Sequence, residues 1–92
     1  GLDKDYIVGI EIICNDRNGM LAELLAVPAE MKVNIHTVNA TPNRRNKTST
    51  VLLGLNVSNI DQISQVMTRV RQLKDVYRVT RTLAGVQGYG DM

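Results

Sequence analysis

A layered α+β domain, with one four-stranded antiparallel sheet and two helices packed on one of its faces, is the fold class the sequence predicts. Three observations predict it. Apolar residues recur at period two in four stretches, and at helical spacing in two others. The order of these stretches is strand, helix, strand, strand, helix, strand. Right-handed crossovers through each helix then leave one sensible arrangement.

Tyr6 to Cys14 opens the domain as a strand. Tyr6, Val8, Ile10, Ile12 and Cys14 share one face, and Ile7, Gly9, Glu11 and Ile13 share the other. Apolar residues on both faces suit a central strand whose second face is partly covered by a neighbour or a partner subunit. Met20, Leu21, Leu24, Leu25 and Met31 then form a helical stripe, placing a helix over roughly Asn18 to Met31. Pro28 removes a donor and clashes with the carbonyl of Leu24, so a kink or early end is expected there, with Ala29 to Lys32 as a loose last turn.

Val33 to Thr41 is the second strand. Ile35 and Val38 fall on opposite faces by strict alternation, which a bulge or a late start would reconcile. The polar run Pro42 to Lys47 reads as a hairpin connection. Lys47 to Val57 is the third strand, with Val51, Leu53, Leu55 and Val57 on one face. Ser58-Asn59 followed by Asp61 supplies a cap and a first-turn charge to a second helix. Its stripe is Ile60, Ile63, Met67, Val70 and Leu73. Val76 to Leu83 closes the sheet, with Tyr77, Val79, Arg81 and Leu83 alternating against Arg78, Thr80 and Thr82. The domain is thus expected over residues 1–83, and 84–92, with three glycines and little to bury, as a loose tail. The whole is a ferredoxin-like βαββαβ sandwich. Its second sheet face has no helices of its own, and Ile7, Ile13 and Leu52 are candidates for it. Self-association is the cheapest cover, since identical faces pair with two-fold symmetry.

Composition narrows the functional classes. The 92 residues suffice for one small core, and without Trp or Phe that core must come from Ile, Leu, Val and Met. The single cysteine, Cys14, excludes an internal disulfide and points to a reducing, cytoplasmic setting. No apolar run approaches the roughly 18 to 20 residues needed to cross a bilayer, so no membrane partner is expected. The start at Gly1, with no signal-peptide pattern, reads as a piece of a longer protein. A net charge of +2 is too small by itself to argue for nucleic acid.

No catalytic constellation is present. His36 is the only histidine, so His and Cys cannot supply a metal cluster, and Gly19 stands outside any phosphate-loop pattern. Cys14 on an apolar strand face reads as a buried, inert thiol. No cofactor and no enzymatic role are expected of this domain. Arg44, Arg45 and Lys47 cluster in the hairpin, either as a solvated surface or as a contact for RNA phosphates. Base stacking on the sheet is disfavoured, since only Tyr6 and Tyr77 are on offer and neither is in the right context.

The stretch Asp16-Arg17-Asn18-Gly19-Met20-Leu21 joins the first strand to the first helix. One reading has Asp16 or Asn18 capping the helix and Gly19 easing the turn. The other has the free amides of the helix start receiving a carboxylate or phosphate.

With Tyr6 before it, Val33-Asn34-Ile35 after it and the run from Val76 to Arg81, this stretch resembles an ACT domain across about residues 5 to 83. The aspartate-arginine-x-glycine-hydrophobic-leucine turn and the valine-asparagine-isoleucine opening are characteristic together. The wording is most similar to the ACT domain of RelA/SpoT-type (p)ppGpp synthetase/hydrolases, also called GTP pyrophosphokinases, the enzymes of the stringent response. The resemblance implies a non-catalytic regulatory module that pairs side by side or face to face and takes a small ligand, often an amino acid, near the subunit interface. By position it implies a ligand seat of Asp16, Arg17, Asn18, Gly19, Met20, Leu21, Asn34 and Ile35. Amides around Asn18 to Leu21 would meet a carboxylate, while Asp16 suits an ammonium group. Cys14 departs from the polar residue that some relatives carry there. The parent enzyme would act on ATP and GTP or GDP elsewhere in its chain. Ribosome or RNA contact through Arg44, Arg45 and Lys47, and a place in an amino-acid biosynthetic enzyme, are the alternatives.

Overall fold

The computed structural model describes residues 6–82. Its elements are β1 (Tyr6–Asn15), α1 (Met20–Glu30), β2 (Asn34–Asn43), β3 (Thr48–Val57), α2 (Asp61–Arg71) and β4 (Val76–Thr82). The strands form one sheet in the order β2-β3-β1-β4, every neighbouring pair antiparallel. This is the ferredoxin-like arrangement that the order of patterns implies. Leu83 and the tail at 84–92 lie outside the described residues.

The register explains the core. Val8, Ile10 and Ile12 stand opposite Leu55, Leu53 and Val51, so the apolar faces of the two central strands coincide. Both helices pack on that face, and Leu24, Val27, Ile63, Val66 and Val70 close over it, each nearly inaccessible. A fully buried aliphatic side chain contributes roughly 1.5–3 kcal/mol, so this layer supplies most of the driving force. The α2 stripe departs from expectation at two places. Ile60 is half exposed, and Val66, absent from the predicted stripe, is fully buried.

Local chemistry sets the element ends. The parity break in β2 is a bulge, since the ladder to β3 shifts between Ile35 and Thr37 and leaves His36 as the extra residue. Ile35 and Val38 both return to the helix side, opposite Leu55 and Leu53. Thr37 then lies over Gly54, where a Cβ would collide with its hydroxyl. A second shift opposite Cys14 places Tyr77 in a bulge at the start of β4. At the head of α2, Asn59 Oδ1 accepts from the Gln62 amide, while Gln62 Oε1 accepts from the amides of Ser58 and Asn59. That is the reciprocal cap the Ser58-Asn59 pair implies.

Pro28 does not end α1. The helix runs through it to Glu30, because Pro28 occupies the last turn and costs only the bond its missing N–H would have made to Leu24. The stop comes from Lys32, at φ 60, with Val33 N donating to Pro28 O (2.8 Å) and Lys32 N to Ala29 O (3.1 Å). This is a Schellman cap built on a lysine instead of glycine. Lys32 is exposed, so its side chain gives nothing back for the left-handed backbone. Lys32→Gly should raise unfolding stability by about 1 kcal/mol in urea denaturation, with no change in the far-UV spectrum.

Candidate functional site

The turn between β1 and α1 is shaped by Gly19, which has φ 83 and forms the N-cap of the helix. A Cβ at Gly19 would meet nothing within 4 Å, so glycine is required there for its left-handed backbone and not for crowding. Neither Asp16 nor Asn18 caps the helix, contrary to the simpler sequence reading, and both are exposed. Met20 N donates to Arg17 O (3.1 Å) and Glu23 N to Gly19 O (3.0 Å). The amides of Leu21 and Ala22 fall before the intrahelical ladder and have no acceptor within the helix.

Arg17 holds this turn in place. Its Nε donates to Asp75 Oδ2 (2.7 Å), and its two terminal nitrogens donate to Glu23 Oε2 (2.9 Å) and Oε1 (3.2 Å). The remaining two N–H groups reach the carbonyls of Asn18 and Lys74, both at 3.4 Å. All five donors of the guanidinium are therefore spent within the chain. The consequence is a latch between the β1–α1 turn and the α2–β4 turn, reinforced by Asn15 N donating to Asp75 O (2.9 Å). Asp75 adopts φ 72 to present both groups. Sequence reasoning put Arg17 in the ligand seat. It missed Asp75, which lies 58 positions away, and Glu23, whose first-turn position was the one available clue.

A cavity of about 190 Å³ opens beside the turn. Cys14, Met20, Leu21, Ala40, Pro42 and Val51 give it apolar walls, with Asn15, Asp16, Arg17 and Ser49 at its polar side. Cys14 is buried, and its thiol faces Ser49 O at 3.7 Å. Burial, then the nearby Asp16 carboxylate, push the thiol pKa up against the opposing Arg17, so it stays protonated and unreactive. A larger open groove of about 570 Å³ lies between Met31, Val33 and the polar face of α2. It contains no residue of the turn, so the smaller, better enclosed cavity is the candidate seat.

Asn34 and Ile35 are elsewhere. Asn34 pairs with Asn56, which pairs with Ile7, whereas the turn adjoins Asn15, Thr48 and Asn43. The two halves of the predicted site lie at opposite ends of the sheet, about 26 Å apart at the ordinary rise of a strand. Sequence reasoning took Asn34 to be close to the turn, because adjacency along a motif says nothing about which end of a ten-residue strand is meant. Arg44, Arg45 and Lys47 do lie at the turn's end of the sheet, exposed and without ion-pair partners among the described residues. Among those residues no group of His, Cys, Asp and Glu is arranged to hold a metal. No helix there is long and apolar enough to cross a membrane.

The latch has a pH signature. Its hydrogen bonds to Arg17 hold the Glu23 carboxyl below the ordinary value, while Glu23 and then Asp75 raise Arg17, which stays charged throughout. A depressed glutamate stabilises the fold above its unfolded pKa, and that contribution is lost as pH falls through the lower folded value. Glu23→Gln should therefore melt below wild type at pH 7. The gap should close as pH drops below 4.5, the ordinary glutamate value. Thermal melts across pH 2 to 8 test this, with Glu30→Gln, which touches only the exposed Arg69 pair, as the control.

Comparison with known proteins agrees with this fold. The chain is 26% identical over 76 residues to a GTP pyrophosphokinase of Haemophilus influenzae, and 24% identical over 76 residues to that of Escherichia coli K12. In both cases the match takes in 83% of this chain and 10% of the relative, so the chain spans about a tenth of the length of these proteins. A crystal structure of the ACT domain from the GTP pyrophosphokinase of Chlorobium tepidum superposes with TM-score 0.74 at 28% identity, covering 86% of this chain and all of that one. The ACT domain family model matches residues 2–81, and this chain belongs to the ACT domain family.

Proposed function

We propose that this domain is a non-catalytic regulatory module of a GTP pyrophosphokinase, working by self-association through β2 and by holding a small ligand at the β1–α1 turn. The similarity to GTP pyrophosphokinases over the same region supports the parent enzyme. One observation carries the mechanism. β2 is an outer strand of ten residues with no Asp, Glu, Lys or Arg, and Val38 is 42% exposed on its helix side. An uncharged, unpaired edge of that length is a template for another strand.

A second copy is the occupant that makes sense of the divided site. Antiparallel pairing of β2 with an identical strand, centred near Asn39, lays the partner's Asn34 alongside Arg44, just beyond the end of β2. The end of β2 borders the cavity through Pro42. The pairing thus reunites the two halves that one chain keeps at opposite ends. It also accounts for the ledge of Val38 and Ala40, which the helices leave open. A small ligand would set its carboxylate on the amides of Leu21 and Ala22, and its ammonium group on Asp16. Binding would then favour the paired form, coupling ligand concentration to the assembly state of the enzyme.

Sedimentation at about 100 μM should give the mass of a pair for wild type and of one chain for Val38→Pro, which removes an outward-facing amide, or Val38→Lys. A wild-type monomer at that concentration would sink the pairing. Titration with the common amino acids at millimolar concentration should move the amide resonances of Leu21 and Ala22 in wild type and much less in Val38→Lys. Silence from every amino acid would remove the ligand half of the proposal.

A second reading rests on the exposed, unpaired cations of the hairpin. Arg44, Arg45 and Lys47 would contact RNA phosphates without reading sequence. Removing all three should flatten the dependence of RNA affinity on salt by about two logarithmic units per decade. An unchanged slope excludes the hairpin as the contact.

A further inference from the structure

We infer that the opposite edge of the sheet, β4, is closed against strand addition by three arginines, so that self-association through β2 stops at a closed pair of chains. This rests on the β2 reading above, and it concerns residues that play no part in the seat.

The two edges both carry a bulge, at His36 in β2 and at Tyr77 in β4, but they differ in length and in charge. β2 has ten residues and no Asp, Glu, Lys or Arg, whereas β4 has seven, two of them arginines. The carbonyl of Val79 faces outward from β4, and Arg71 of α2 reaches over the edge to donate Nη2–H to it at 3.1 Å. An added strand would need that acceptor, and the Arg71 side chain already stands at it, holding one of its two lone pairs. Arg78 opposes Ile13 on the open face of the sheet, and Arg81 opposes Ile10 on the helix side. Both are exposed and neither has an ion-pair partner among the described residues. They therefore flank the edge on both faces. Bringing two β4 edges together would set like charges across the new ladder, which opposes pairing. The consequence follows from symmetry. A sheet with two open edges adds copies indefinitely, while one with a single open edge closes after the first two-fold contact.

The test is sedimentation of wild type beside Arg71→Ala/Arg78→Ala/Arg81→Ala. Tetramers and larger species that grow with concentration in the triple variant support the inference, and an unchanged mass overturns it. Failure of the β2 reading looks different. Wild type is then a monomer, and a triple variant that pairs while wild type does not still supports the guard. A charge-complementation arm covers loss of folding in the triple variant. Arg71→Ala alone is mixed with Arg71→Ala/Arg78→Glu/Arg81→Glu, each checked by far-UV circular dichroism. Assemblies in the mixture larger than in either component support a guarded edge, and unchanged masses on mixing overturn it.

Discussion

The register between β1 and β3 is the constraint on which everything else depends. It places Val8, Ile10 and Ile12 opposite Leu55, Leu53 and Val51 and brings Gly9 opposite Gly54 on the other face. A slip of one residue would turn every one of these side chains to the wrong side of the sheet. The same ladder ends with Asn15 opposite Thr48, and this fixes where the chain must leave the sheet to begin α1. The position of the motif turn, the cavity beside it and the basic hairpin all follow from that one alignment.

The features of interest lie where regular structure is interrupted. Four backbone positions among the described residues have positive φ, and each ends or starts an element: Gly19, Lys32, Lys47 and Asp75. Two of them, Gly19 and Asp75, lie on the two sides of the Arg17 latch. The turn is therefore neither a simple helix cap nor a free loop. It is a glycine turn held by charge-assisted hydrogen bonds to a second turn, far away in sequence, in which Asp75 takes a left-handed backbone.

Much of the fold was legible in the sequence because alternation and helical spacing are local. The β1 and β3 faces and the order of elements follow from period alone, and even the β2 bulge announces itself through the misfit of Ile35 and Val38. What escaped was set by contacts across the chain. No local signal joins Arg17 to Asp75, and Pro28 misleads because its effect depends on how near the helix end it falls. The candidate site was half legible. Gly19 and the free amides were found from the motif, but Asn34 was assigned to the turn without knowledge of strand direction. Within one chain the antiparallel ladder sends it to the far end.

Arg17 changes what the motif means. An arginine whose every donor is committed inside the chain is selected by the architecture of the turn, whatever occupies the cavity. Arg17, Gly19 and Asp75 hold the turn in the same way whether or not anything fills the cavity. The motif is thus, first of all, a device of backbone geometry. What distinguishes one cavity of this shape from another is then left to the less conspicuous residues that wall it, among them Ala40, Pro42 and Ser49.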